Sequence, residues 1–381
     1  VSVVLLLAGA TSSSVAIGAS PLAELTAALH AYTEAEHHPG TARWARSLDT
    51  EGSEDGARSG QGAPPSSSGA AALAPGLRQR IMAWAPLWAS YRARYLLPVR
   101  AEGDRPLEAE LADIDGLPLS RFAELTGYAV RGGNSGKPLD RLLHDSVLRA
   151  DLMAAARLRS TARAELAHRL LDAPQALRAD LLDLLTDAAR ALEPDLLRAA
   201  RTISTQLPVL RATFGHHGLG EALAGLDLSA SYRSGPPRVI FDKFHHGIVN
   251  VATTRLLVVP SVFGRPHLLV KHEPELPAVI QYPLLPEGGS QPCYAAVHRR
   301  LEVLRDPGRQ RIARAIAREP LTPSELAARS GMTLPQVSRH LARLREADLV
   351  TIDRDGRRAY YQLNLEPVRR IGEDLLTALF R

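Results

Sequence analysis

At 381 residues the chain is too long for one typical domain and suits two or three, and its 45% apolar and 23% charged residues can bury a sizeable core. A single cysteine, Cys293, excludes an intrachain disulfide and a thiolate metal cluster. Three Trp and 5% aromatics exclude a stacking platform for single strands, and no apolar run reaches the roughly 20 residues that span a bilayer. The net charge of +5 is uneven: residues 299–381 hold 17 Arg and no Lys against 11 acidic residues, while the rest carries 29 basic and 30 acidic groups. A basic segment beside a neutral body points to a polyanion-binding module joined to something else, the alternative being a solvated basic surface.

Val1–Ala10 (VSVVLLLAGA) reads as a short buried strand in preference to a secretory leader, because a basic n-region is missing. A cytoplasmic chain with no membrane partner is expected. Pro21–His30 opens with Pro in a first helical turn and places Leu22, Leu25 and Leu29 at helical spacing. Residues 51–72, dense in Gly, Ser and Pro, predict a flexible surface insertion. Trp84, Trp88 and Tyr91 at i, i+4, i+7 predict one helix face packed into a core. From Leu139 to Leu210 long Leu/Ala/Arg helices are expected, broken at Asp172-Ala173-Pro174 and Glu193-Pro194. The apolar runs Val239–Phe241, Ile248–Val251, Leu256–Val259, His267–Lys271 and Ala278–Tyr282 predict an antiparallel meander of four or five strands. Arg265, His267, Lys271 and Tyr282 could line a pocket there, although alternation places the first three equally well toward water. Glu287–Ser290 reads as a hinge.

The last 83 residues carry the sharpest local signals. Asp306-Pro307 starts one helix, with Ile312 and Ile316 on one face. Thr322-Pro323-Ser324-Glu325 is a capping box, Ser330-Gly331-Met332 a tight turn, and Thr333-Leu334-Pro335-Gln336 a second capping box. The second helix buries Val337, Leu341 and Leu344, which makes the pair a helix-turn-helix. On its outer side Gln336, Arg339 and Arg343 line up as readers of adenine and guanine edges, Ser338 and His340 are placed for phosphates, and Thr333 at the helix start is a further DNA-binding candidate. Two strands around Arg354-Asp355-Gly356-Arg357, with Asp-Gly as a favoured hairpin turn, make a wing. Its Arg354, Arg357 and Arg358 suit phosphates or the minor groove. In the closing helix Val368, Ile371, Leu375 and Leu379 align as a dimerisation seam.

These residues resemble the ArsR/SmtB-type winged-helix regulators, through Gln336-Val337-Ser338-Arg339-His340-Leu341 and the following strands. Asp348 stands where that family commonly has Gly. Ser20–Leu25, Trp44, Val258–Val270 and Ile280–Leu284 are similar to the effector region of long actinobacterial ArsR-like regulators. The resemblance implies a homodimer with recognition helices one DNA turn apart. It also implies that the paired-Cys metal site of many members is missing, since Ser324–Arg329 has no thiol or imidazole.

No enzyme signature survives inspection. Arg131–Pro138 lacks the first Gly and the Ser/Thr of a phosphate loop, and Gly215–Gly220 reverses the dinucleotide spacing. The pairs His37-His38, His216-His217 and His245-His246 read as solvated or core histidines, because adjacent side chains diverge. The expectation is an α+β chain, not an enzyme and without a cofactor or metal. A larger N-terminal α/β domain (1–290) of helices and meander precedes a winged helix-turn-helix of three helices and a hairpin (298–381). Its function is sequence-specific double-stranded DNA binding as a dimeric repressor answering to a small-molecule effector. A winged-helix protein-interaction adaptor is the competing reading.

Overall fold

The computed structural model describes residues 2–49, 72–89, 91–134, 137–227, 230–243, 246–284, 294–355 and 358–380. The expected 51–72 insertion, apart from Ala72, and the 287–290 hinge fall outside them. The chain divides into two units, Val1–Pro286 and Glu287–Arg381.

The N-terminal unit begins with β1 (Ser2–Leu6), β2 (Val15–Ile17) and α1 (Pro21–Thr33). Ser20 caps α1 by accepting the Ala23 N–H at 3.0 Å, and Pro21 sits in the first turn, where its missing N–H leaves no gap. Every residue from Leu22 to Tyr32 is buried, so α1 is the central helix and not a surface one. Its polar members are satisfied: Glu24 accepts from Ser261 Oγ at 2.5 Å and from the Val262 and Phe263 N–H groups at 3.0 Å, and Thr26 donates to the Leu22 carbonyl. Around it lie α2 (Ala42–Ser47), α3 (Pro75–Trp84), α4 (Leu107–Asp115), α5 (Leu119–Arg131), α6 (Ser146–Arg157), α7 (Thr161–Asp172), α8 (Pro174–Ala191), α9 (Glu193–His216) and α10 (Leu219–Ala224). The expected breaks coincide with the α7–α8 and α8–α9 junctions. Gly18 and Gly103 cross so closely that a Cβ on Gly18 would lie 2.6 Å from the Gly103 Cα, which admits no side chain on either.

Trp84 and Trp88 are buried as expected of core residues, but not on one continuous helix. α3 ends at Trp84, a 3-10 turn spans Ala85–Leu87, and Pro86 accounts for the break. Tyr91 is half-buried, and its hydroxyl donates to Glu273 Oε1 at 3.1 Å.

The remaining strands are β3 (Ala230–Ser234), β4 (Pro237–Asp242), β5 (Gly247–Asn250), β6 (Leu256–Ser261), β7 (Leu269–Lys271) and β8 (Ala278–Pro283). They do not form a meander. They split into two four-stranded mixed sheets, β3-β4-β1-β5 and β2-β6-β8-β7, each completed by a strand from the first 17 residues. β1 lies antiparallel to β4 and parallel to β5, and β6 lies parallel to both β2 and β8. The error has a physical origin. β6 and β8 are buried at all six positions, and a strand covered on both faces reads as an unbroken apolar run without direction. Lys271, left open toward water by alternation, is buried, with Nζ 3.0 Å from the centre of the Tyr91 ring.

The C-terminal unit runs α11 (Tyr294–Arg305), α12 (Pro307–Ile316), α13 (Pro323–Ser330), α14 (Leu334–Glu346), β9 (Val350–Asp355), β10 (Arg358–Leu363) and α15 (Leu365–Phe380). Ile312, Ile316, Leu326, Val337, Leu341, Leu344 and Leu349 make its core. Leu321 makes an isolated antiparallel bridge to Tyr361 of β10, exchanging backbone hydrogen bonds of 2.9 and 3.1 Å. The whole is α+β: a larger unit of helices and sheets, followed in the chain by a winged helix-turn-helix.

Candidate nucleic-acid interface

The helix pair is set by three local devices. Thr322 and Glu325 close a capping box on α13, with the Thr322 N–H donating to Glu325 Oε2 at 2.7 Å, a bond that holds this carboxyl below its usual range. Gly331 ends α13 at φ +68°, a left-handed conformation that favours glycine. Thr333 and Gln336 then cap α14: the Thr333 N–H and hydroxyl reach Gln336 Oε1 at 2.8 and 3.0 Å. Val337, Leu341 and Leu344 are buried at 0–2% exposure and fix the roll of α14. Gln336, Ser338, Arg339 and Arg343 are all exposed.

Exposure does not make the expected readers equivalent. Arg339 has no hydrogen bond or ion pair among the described residues, so its five donors are available to a partner. Gln336 spends its carbonyl oxygen on the Thr333 cap, and bidentate reading of adenine would require that oxygen as well as the amide N–H. Arg343 pairs with Glu346 at 2.9 Å, beside a cavity of about 560 Å³ shared with Arg299, Glu302 and Arg309. His340 is withdrawn from the outer face. It is half-buried against the start of α12, with Nδ1 3.9 Å from Asp306 and Nε2 close to Gly308, which leaves Ser338 as the exposed phosphate candidate on that side. Asp306 itself caps α12, and the Arg309 N–H at 2.8 Å lowers its carboxyl.

In the wing, Asp355 pairs with Arg358 and Arg354 with Ala359, so both strands run further toward the tip than expected. Gly356, which would complete the expected Asp-Gly turn, and Arg357 lie outside the described residues. Arg354 and Arg358 are exposed and occupy opposite faces of the ribbon, since directly paired residues share a face. Arg345, an exposed cation on α14 with no partner among the described residues, was not singled out from the sequence. Its position at i+6 from Arg339 hides it from a one-face reading.

Of the dimerisation seam, Val368, Ile371 and Leu375 are half-buried within their own unit, Val368 against its core; the Leu379 side chain lies outside the described residues. α15 is tied to α11 by Arg300 and Asp374 at 3.2 Å. Among the described side chains of these two helices, the large exposed apolar ones are Leu301, Leu365 and Leu376. No described helix is long and apolar enough to cross a membrane.

With this geometry in hand, the comparisons with known proteins divide along the same two units. A family described as "Family of unknown function (DUF5937)" matches residues 1–56 and 63–288. The chain belongs to this family. A second match, to a helix-turn-helix domain, covers residues 304–353. The chain is similar to the HTH-type transcriptional regulator KmtR of Mycobacterium tuberculosis, 39% identical over 69 residues, or 18% of this chain and 53% of that protein. It thus spans about half the length of that curated relative. A solved structure, NolR from Sinorhizobium fredii, is 28% identical over 24% of this chain and 91% of its own, with a TM-score of 0.20. This DUF5937 protein is therefore an ArsR-type winged helix following a large N-terminal domain.

Proposed function

We propose that this DUF5937 protein is a cytoplasmic, dimeric transcription regulator, a repressor, that reads double-stranded DNA with α14 in the major groove. The observation that carries the proposal is Arg339, exposed and without an ion-pair partner among the described residues on the outer face of a doubly capped helix-turn-helix, with the cations Arg354 and Arg358 exposed on the wing. Arg339 would take guanine O6 and N7, and Arg343 would read a base after exchanging Glu346 for it. Ser338 and the wing cations, Arg357 with them, would hold the backbone. Gln336 would read a base only by giving up its cap. Val368, Ile371, Leu375 and Leu379, with Leu301 and Leu376 beside them, supply the apolar seam for a second copy. The nearly 300 residues that DNA binding does not need motivate an effector. The candidate cavity in that unit, about 410 Å³, is bordered by Val15, Ile17, Arg211, Phe214, His217 and Leu219.

Fluorescence anisotropy on the DNA upstream of its own gene and on scrambled DNA, at two salt concentrations, tests the reading. Selective binding that Arg339→Ala weakens and relaxes at one base is the expected result. Equal, salt-abolished binding to both fragments would overturn sequence reading and favour the adaptor.

A further inference from the structure

Three imidazoles from separate stretches of the N-terminal unit meet at the C-terminal end of α1. They are His30 of α1, His38 just past the 3-10 turn Ala35–His37, and His267 between β6 and β7. Ring centroids are 4.6 Å apart for His30–His38, 4.7 Å for His38–His267 and 5.3 Å for His30–His267. One ring nitrogen from each lies within 4.8 Å of the other two. His30 and His38 are buried and His267 is half-buried.

The state of the His38 ring follows from its neighbours. Nδ1 lies 2.5 Å from the Arg265 carbonyl oxygen, which can only accept, so the ring proton sits on Nδ1 and Nε2 carries a bare lone pair. That Nε2 is buried and has no hydrogen-bond partner among the described residues, on a residue only 1% exposed. A buried acceptor left bare is unfavourable and calls for a partner. A backbone carbonyl holding the far nitrogen is also how a metal-ligating histidine has its tautomer and ring direction fixed. Burial lowers both His30 and His38. The Glu34 carboxylate stands at the rim, with Oε2 3.1 Å from His30 Nε2 and 2.9 Å from His37 Nδ1, on side chains open to solvent.

We propose that His30, His38 and His267 bind a divalent first-row transition ion, with the Glu34 carboxylate at the rim of the site. Three imidazoles suit zinc, nickel, copper or iron better than calcium or magnesium, and a three-nitrogen set leaves a coordination position open. Metal–nitrogen distances of about 2.0–2.1 Å place tetrahedral ligands roughly 3.3 Å apart, so the rings close by about 1.5 Å or less on binding. The opposing charge is Arg92, which acts on both buried rings; Glu24 and Glu34 are the carboxylates that offset it. The site needs nothing from the C-terminal unit and is tested without DNA.

The experiment uses the full chain after chelator treatment, titrated with zinc against a chromophoric chelator. Cobalt absorbance serves as a second probe of the coordination geometry. One ion per chain is expected. His38→Gln and His267→Gln should each weaken it by at least about a hundredfold, while His144→Gln, at an exposed position outside the cluster, leaves it unchanged. His267→Gln, at a half-buried position, keeps the test usable if His38→Gln unfolds, and Trp fluorescence reports folding in each case. No stoichiometric uptake, or uptake that both cluster variants retain, overturns the proposal.

Discussion

Glu110 of α4 offers a test of the N-terminal unit that depends on pH alone. Its Oε1 accepts the Ser20 hydroxyl at 2.7 Å and its Oε2 the Leu22 N–H at 2.8 Å, so it ties α4 to the start of the central helix. Burial pushes its carboxyl from 4.5 up to about 7, against the opposite pull of those two hydrogen bonds and of Arg105. The folded chain therefore holds a proton that the unfolded chain has released above about pH 4.5. The associated stability is fully present below that pH and is lost as pH rises through about 7. At 1.36 kcal/mol per pKa unit the loss is on the order of 3 kcal/mol, with little screening to discount at 3% exposure. Glu110→Gln mimics the protonated form and does not titrate. Trp44, Trp84 and Trp88 all lie in this unit, so Trp fluorescence in urea reports on it without the other. The variant should gain on the wild type by about 1–3 kcal/mol as pH rises from 5 to 8, whatever their offset at pH 5. Parallel curves for the two proteins would refute the assignment of a buried, proton-holding Glu110.

Arg339→Ala should cost about 1–3 kcal/mol of binding to the preferred DNA and relax one base. Arg354→Ala should instead weaken all sequences alike and lower the salt slope by about 1, both read by anisotropy. Thr333→Ala removes the hydroxyl half of the α14 cap and should destabilise the C-terminal unit by about 0.5–2 kcal/mol in circular-dichroism melts, while the backbone N–H of residue 333 still holds Gln336 Oε1. Leu341→Ala, at a position 2% exposed, should cost about 2–5 kcal/mol in the same melts and abolish DNA binding through unfolding rather than through a contact.

How far the sequence could be read depended on whether the deciding contacts were local. The caps at Asp306, Thr322 and Thr333 and the Gly331 turn are i to i+3 arrangements, and all of them form. The helix breaks at Pro174 and Pro194 are equally local. The sheets were missed because their partners are distant and their apolar runs carry no direction. The engagement of two expected base readers is equally local, Arg343 with Glu346 and Gln336 with Thr333 at i and i+3, but assigning residues to a helix face does not register such pairs. The histidine cluster is not legible in the sequence because His267 lies more than 200 positions from His30 and His38, and of the adjacent histidine pairs only His38 contributes to it among the described residues.

The placement of β1 between β4 and β5 bears on how this protein is made. Val3 pairs with Phe241, 238 positions later, and with Gly247, so β1 leaves the ribosome long before the two strands that flank it in the sheet. At about 5–20 residues per second that strand waits roughly 10–50 s for its partners while a long run of helices is synthesised. Its apolar residues must be sheltered through that interval, by the growing helical layer or by a chaperone. Synthesis in the cell is therefore the stage at which this fold is most exposed to misassembly.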